Sequence, residues 1–188
     1  MALQRTVDKW KTKRWFTVYA PKAFKEAKVC EIPAAEDKQA VNRKIKVSLE
    51  QLTHNPQHSF TNVVIQITDV NGDAAHTKVV MIEQVYAYIR SLVRRYRSVA
   101  STVAKVSTKD NVSVVFKVLA VTRQRSTSSR LKGIRSEMQE FIKGYAKDND
   151  YDSIVGTVVD GKFQSELAGR LAHITPLNKV EVRRLEVS

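Results

Sequence analysis

Residues 90–135 constrain the chain more than any other stretch, because their charge is dense and almost all of one sign. These 46 residues hold twelve Lys or Arg and one acid, Asp110. Cations crowded without acids repel one another and lower folded stability, so a chain that keeps them is expected to have an anionic partner. The imbalance is local. Residues 1–28 carry eight basic and two acidic side chains, residues 29–89 five and seven, and residues 136–188 seven and nine, so the net charge of +13 sits in two blocks. Nucleic acid is the partner expected for them.

Within the basic stretch, Val85, Ile89, Leu92, Val93 and Tyr96 follow the i, i+4, i+7, i+8, i+11 spacing of a buried helical stripe. Arg90, Arg94 and Arg97 fall on another side of the same helix, about 130° away at 100° per residue. Residues 99–107, a Thr108-Lys109-Asp110-Asn111 turn and residues 112–121 then read as a β-hairpin. Thr122-Arg123-Gln124-Arg125 follows, and a Ser/Thr run opens a second helix with the apolar stripe Leu131, Ile134, Met138, Phe141, Ile142 and Tyr145. Ser126 to Ser129 supply its candidate caps. Arg130, Lys132 and Arg135 in its first turns oppose the helix dipole, which makes sense if a phosphate occupies the helix start.

The N-terminal arm, residues 1–14, is basic, with Arg5, Lys9, Trp10, Lys11, Lys13 and Arg14 against Asp8. Such an arm can follow a phosphate backbone and stack Trp10 on a base. Residues 15–20 form a strand stopped by Pro21, with Trp15 and Phe16 expected in the core. Residues 27–32 and 43–49 are short strands around a loop at 33–37. Residues 60–68 and 74–80 form a hairpin about Asn71-Gly72 that feeds the first basic helix at Ile82. Residues 151–159 and 162–173 read as two short helices, and a last strand spans 179–187 with a bulge at Arg183-Arg184. With no regular βαβ alternation, the class is α+β: a largely antiparallel, curved or barrel-like sheet with packed helices. The division expected is an arm at 1–14 and a single domain at 15–188, with a helical annex at about 127–173.

No catalytic constellation stands out. Pro56 between His54 and His58 disfavours a helical metal pair, and Cys30 has no second Cys or neighbouring His. The six glycines build no phosphate-binding loop. No enzyme activity, metal or cofactor is expected. A chain with one Cys, no secretory signal and no apolar run of membrane-spanning length is expected to be cytoplasmic, with no membrane partner.

Lys13-Arg14-Trp15-Phe16-Thr17-Val18-Tyr19-Ala20-Pro21-Lys22-Ala23-Phe24 resembles the opening of the small-subunit ribosomal family S-three-A-e (also e-S-one) of archaea and eukaryotes. The resemblance continues in order through Val47-Ser48-Leu49-Glu50-Gln51-Leu52, Ile67-Thr68-Asp69-Val70-Asn71-Gly72, Ile89-Arg90-Ser91-Leu92-Val93-Arg94-Arg95 and Thr108-Lys109-Asp110-Asn111. Thr122-Arg123-Gln124-Arg125, Ile174-Thr175-Pro176-Leu177 and Val180-Glu181-Val182-Arg183-Arg184 complete it. The short ends look like the archaeal version, and Asn111 stands where the family turn usually has Gly. The resemblance implies a structural protein bound to small-subunit rRNA on the platform near the mRNA exit, beside other platform proteins and near initiation factors. On the charge argument, the RNA-binding residues expected are Trp10, Lys11, Lys13, Arg14, Arg90, Arg94, Arg95, Arg97, Arg123, Arg125, Arg130, Lys132 and Arg135. A free-standing RNA-binding regulatory module is the alternative.

Overall fold

The computed structural model describes Trp10 and residues 13–187. In chain order the elements are β1 (Arg14–Tyr19), β2 (Lys28–Ala34), α1 (Asp37–Ala40), β3 (Lys44–Ser48), α2 (Leu49–Thr53), β4 (Thr61–Asn71), β5 (Ala74–Gln84) and α3 (Tyr86–Leu92). They continue as β6 (Val99–Ser107), β7 (Ser113–Thr122), α4 (Ser128–Asp148), α5 (Tyr151–Val159), α6 (Lys162–Leu171) and β8 (Leu177–Val187). The strands form one open, eight-stranded sheet along the path β2-β1-β5-β8-β7-β6, with β4 added to β5 and β3 to β4. The sheet is mostly antiparallel and does not close into a barrel; among the described residues, only the short β1–β5 pairing, Thr17 with Ala74 and Val18 with Ala75, is parallel.

The β6–β7 hairpin forms as expected, with buried residues alternating along β6 and nearly continuous along β7. Its turn closes with the Thr108 amide donating to the Val112 carbonyl at 3.0 Å, and Asn111 takes φ +57, a left-handed conformation Asn tolerates. The β4–β5 turn has its two-residue loop at Gly72-Asp73, one residue later than expected, with φ +62 at Gly72. In β8 the register slips between Lys117/Val118 of its partner strand, so Arg183 bulges and buried Val182 is followed by buried Leu185. Pro33 lies within β2 rather than in a loop. It is tolerated because β2 is an end strand, whose outer edge needs no N–H donor.

Helices cover both faces of β7. On one side Phe116, Val118 and Ala120 meet Ile134, Met138 and Ile142 of α4 and Phe163, Leu167 and Leu171 of α6. Phe163 is fully buried among Phe116, Phe141 and Tyr145 at centroid distances of 5.8, 5.5 and 5.1 Å. A side chain of that size contributes about 2–3 kcal/mol by leaving water. On the other side Leu119 and Val121 meet Ile89 of α3.

Two expectations fail here. α3 ends at Leu92, so Val93 is extended and Tyr96 takes φ +64 in a turn. Val93 and Tyr96 are therefore 46% and 74% exposed instead of buried. The apolar spacing continues past the point where the chain must turn back to begin β6 at Val99, and that pairing overrides seven residues of helix. Trp15 is 57% exposed while Phe16 is fully buried, because neighbouring strand residues face opposite sides and one side of β1 meets the core.

Candidate nucleic-acid interface

A buried threonine brings the basic segments together. The Thr122 hydroxyl accepts from the Ser98 amide at 2.9 Å and lies 3.0 Å from the Ser98 carbonyl and 2.6 Å from that of Gln124. The Ser126 amide donates to the Ser98 hydroxyl at 3.1 Å. These bonds fasten the start of β6 to the end of β7 and to the approach of α4. The Arg123 amide and Nε donate to the carbonyls of Pro176 and Leu177, at 3.0 and 3.2 Å, which adds the start of β8.

The turn at residues 94–97 therefore lies beside residues 123–125, with the Arg125 guanidinium over the Tyr96 ring at 5.5 Å. Arg94, Arg95 and Arg97 reach this place from a loop and not from a helical row, as the shortened α3 requires. Arg90, on α3, lies over the exposed Tyr86 ring at 5.5 Å. Arg130, Lys132 and Arg135 extend the group along the first turns of α4, all exposed. Thr127 is the N-cap of α4, but its side chain makes no capping bond. Among the described residues, no carboxylate comes within 4.0 Å of the charged nitrogens of Arg90, Arg94, Arg95, Arg97, Arg123, Arg125, Arg130, Lys132 or Arg135.

The N-terminal residues do not join this group. β1 stands three strands from β7 in the sheet path, about 14 Å at normal strand spacing. There Arg14 pairs with Asp37 at 2.8 Å, and the Lys13 ammonium sits 4.3 Å from the Trp10 ring centroid. Lys11 lies outside the described residues, as does most of the arm.

Sequence reasoning missed a second basic hollow at the turn end of the hairpin, lined by Lys105, Lys109, Lys143 and Lys147 with Thr108 and Asn111. Lys143 and Lys147 share an arc of α4 with Lys132 and Arg135, so a basic ridge of about 22 Å connects the two ends of the hairpin. The i, i+4 spacing of Lys143 and Lys147 was the signal available.

Residues 2–188 match the model of the ribosomal S3Ae family. The chain belongs to the ribosomal S3Ae family. Similar relatives are named small ribosomal subunit protein eS1. That of Natronomonas pharaonis is 34% identical over 182 residues, covering 96% of this chain and 88% of the relative. The Sulfurisphaera tokodaii protein is 34% identical over 180 residues (96% and 93%), and that of Pyrobaculum neutrophilum 35% over 180 residues (96% and 81%). S3Ae is a family of structural ribosomal proteins and not of enzymes. The S3Ae-like stretches include those that build the junction: Thr122 to Arg125 supplies the buried hydroxyl, and Ile174 to Leu177 the carbonyls that hold Arg123.

Proposed function

We propose that the protein is a structural component of the small ribosomal subunit that binds small-subunit rRNA through the arginine junction and the basic ridge of α4. The observation that carries this is a concentration of nine cations without carboxylate partners among the described residues, on segments held in place by buried hydrogen bonds. Arg forks suit phosphates and 2′-hydroxyls, and shape selects the site on folded RNA. The N-terminal arm, with Trp10, Lys11, Lys13 and Arg14, is a second contact in this reading. In this reading the protein sits on the cytoplasmic ribosome's platform near the mRNA exit, with platform proteins as neighbours and mRNA and initiation factors close by.

Sedimentation of a cell lysate before and after a high-salt wash tests it. Comigration with small subunits that survives the wash is expected. Complete release by salt would favour a free-standing RNA-binding module.

A further inference from the structure

Among the described residues, β2, β3 and β6 each pair with a single strand, so each leaves an open edge. Exposed edges invite further pairing, and two of these are guarded against it. β2 carries Pro33, and β3 is only five residues long with exposed Lys44 and Lys46. β6 is guarded least. Its nine residues, Val99–Ser107, run in unbroken register with β7, without proline or bulge and with Lys105 as the single charge.

The groups on that edge follow from the register. The Thr122 amide donates to the Ser98 carbonyl and the Thr108 amide to the Val112 carbonyl, each at 3.0 Å. Antiparallel pairs alternate between those that exchange hydrogen bonds and those that do not. Ala100, Thr102, Ala104 and Val106 therefore turn their amides and carbonyls to β7, while those of Ser101, Val103, Lys105 and Ser107 point to the open edge. The side chains divide the same way. Ala100 and Ala104 are buried in the core that includes Ile134, Met138 and Ile142 of α4, whereas Ser101, Lys105, Ser107 and Val103, the last at 57%, are exposed on the opposite face.

The end of this edge nearest the turn also lines the basic hollow of about 600 Å³, together with Lys143 and Lys147 of α4. Lys109 has Asp150 at 4.0 Å, but no carboxylate among the described residues comes within 4.0 Å of the ammonium groups of Lys105, Lys143 or Lys147. An occupant must therefore answer a row of backbone donors and acceptors and a cluster of cations at once. An RNA strand answers the cations but has no amides at strand spacing. A second copy of this chain has the amides but carries the same net charge of +13.

We propose that β6 accepts an added strand, an extended acidic segment of a partner protein that pairs with Ser101, Val103, Lys105 and Ser107 and sets its carboxylates against Lys143 and Lys147. Side chains of a strand alternate, so the carboxylates occupy every second position on the α4 side, and the residues between them lie beside exposed Val103. The strand takes the far end of the α4 ridge and leaves Lys132 and Arg135 beside the arginine junction. Its pairing does not depend on RNA binding.

The test is fluorescence anisotropy of the full chain with a labelled peptide of alternating Glu and Val. It should bind about tenfold tighter than the same peptide with Lys in place of Glu. N-methylation of one alternate set of its amides should abolish binding, and methylation of the other set should leave it. Val103→Pro removes an outward amide without breaking a bond to β7, so it should keep the melting curve and lose the peptide. Lys143→Glu with Lys147→Glu should weaken the peptide about tenfold by charge alone. Should Val103→Pro melt early, the methylated peptides decide by themselves. No binding of the Glu and Val peptide, equal binding of both methylated forms, or affinity unchanged in both variants overturns the proposal. So does a dimer in sedimentation velocity that is lost on Val103→Pro, which would assign the edge to a second copy. Loss of rRNA affinity in the lysine variant, with no peptide binding to the parent chain, would assign the hollow to phosphates and overturn it as well.

Discussion

In the β1–β5 part of the sheet, lysines and arginines stand against carboxylates: Arg14 on Asp37 at 2.8 Å, Lys28 on Glu31 at 2.6 Å and Lys46 on Glu83. At the junction of β6, β7 and α4, nine cations stand without one among the described residues. Both regions are held by backbone pairing and a buried apolar layer, so neither depends on charge for its fold. Exposed ion pairs contribute little, a median of about 0–1 kcal/mol. On the proposed reading, the difference separates charge arranged within the chain from charge arranged for an RNA partner.

The widest separation should come from reversing the unpaired cations. Arg94→Glu with Arg97→Glu should weaken rRNA binding by about a hundredfold at low salt and reduce the salt slope by about two, with the melting temperature unchanged. Filter binding across a salt series, alongside thermal melting, reads both; unaltered affinity would remove these arginines from the interface. At the Lys179–Glu181 pair of β8 the effects should be reversed. Glu181→Ala leaves Lys179 and the Gln84 amide without their buried acceptor and should cost about 2 kcal/mol of stability, read by urea unfolding, with little change in rRNA affinity.

Thr122→Val sharpens the comparison because it acts on the junction without touching a charge. Loss of the hydroxyl strands the Ser98 amide, at a cost of about 1–2 kcal/mol, and loosens the two arginine loops. Stability and rRNA affinity should fall together, and Thr122→Ser should restore both. If affinity is unmoved while stability drops, the junction does not position the arginines.

Alkali should act through buried protonated groups on α3, α5 and β8. Burial tends to lower the Lys179 pKa, but its hydrogen bonds to Tyr88 and Glu181 outweigh that and raise it above the ordinary lysine value. Burial raises the Tyr88 hydroxyl as well, and does the same to Tyr151. Each group keeps its proton longer folded than unfolded, so their contribution is complete at neutral pH and declines above about pH 10, where the unfolded groups begin to deprotonate. Urea unfolding between pH 7 and 11 checks this; stability that rises there would contradict it. The smallest effect belongs to Arg14→Ala, whose exposed pair with Asp37 should be worth less than about 1 kcal/mol by the same unfolding assay.

Local pattern carried the hairpins and α5 because their information is local. Alternation in β6, a run of strand-forming apolar residues in β7, and a turn residue that accepts positive φ at Asn111 fix a hairpin within ten residues on either side. The end of α3 was not legible. Tyr96 sits at a helical spacing from Ile89 and Leu92, and what takes it out of the helix is the distant pairing of Val99 with Val121. The site was legible as a composition but not as an arrangement. Charge counting found Arg94, Arg97, Arg123 and Arg125, while their meeting depends on the contact of Thr122 with Ser98, 24 residues apart.

The most direct test of the central claim is the salt dependence of binding to small-subunit rRNA by the parent chain and by the Arg94→Glu, Arg97→Glu, Arg125→Glu variant. A slope shallower by about three, with an unaltered unfolding curve, is the result predicted if these arginines sit on phosphates. Parallel lines of equal affinity would mean that the cations at the junction face solvent in the complex and that the RNA is held elsewhere.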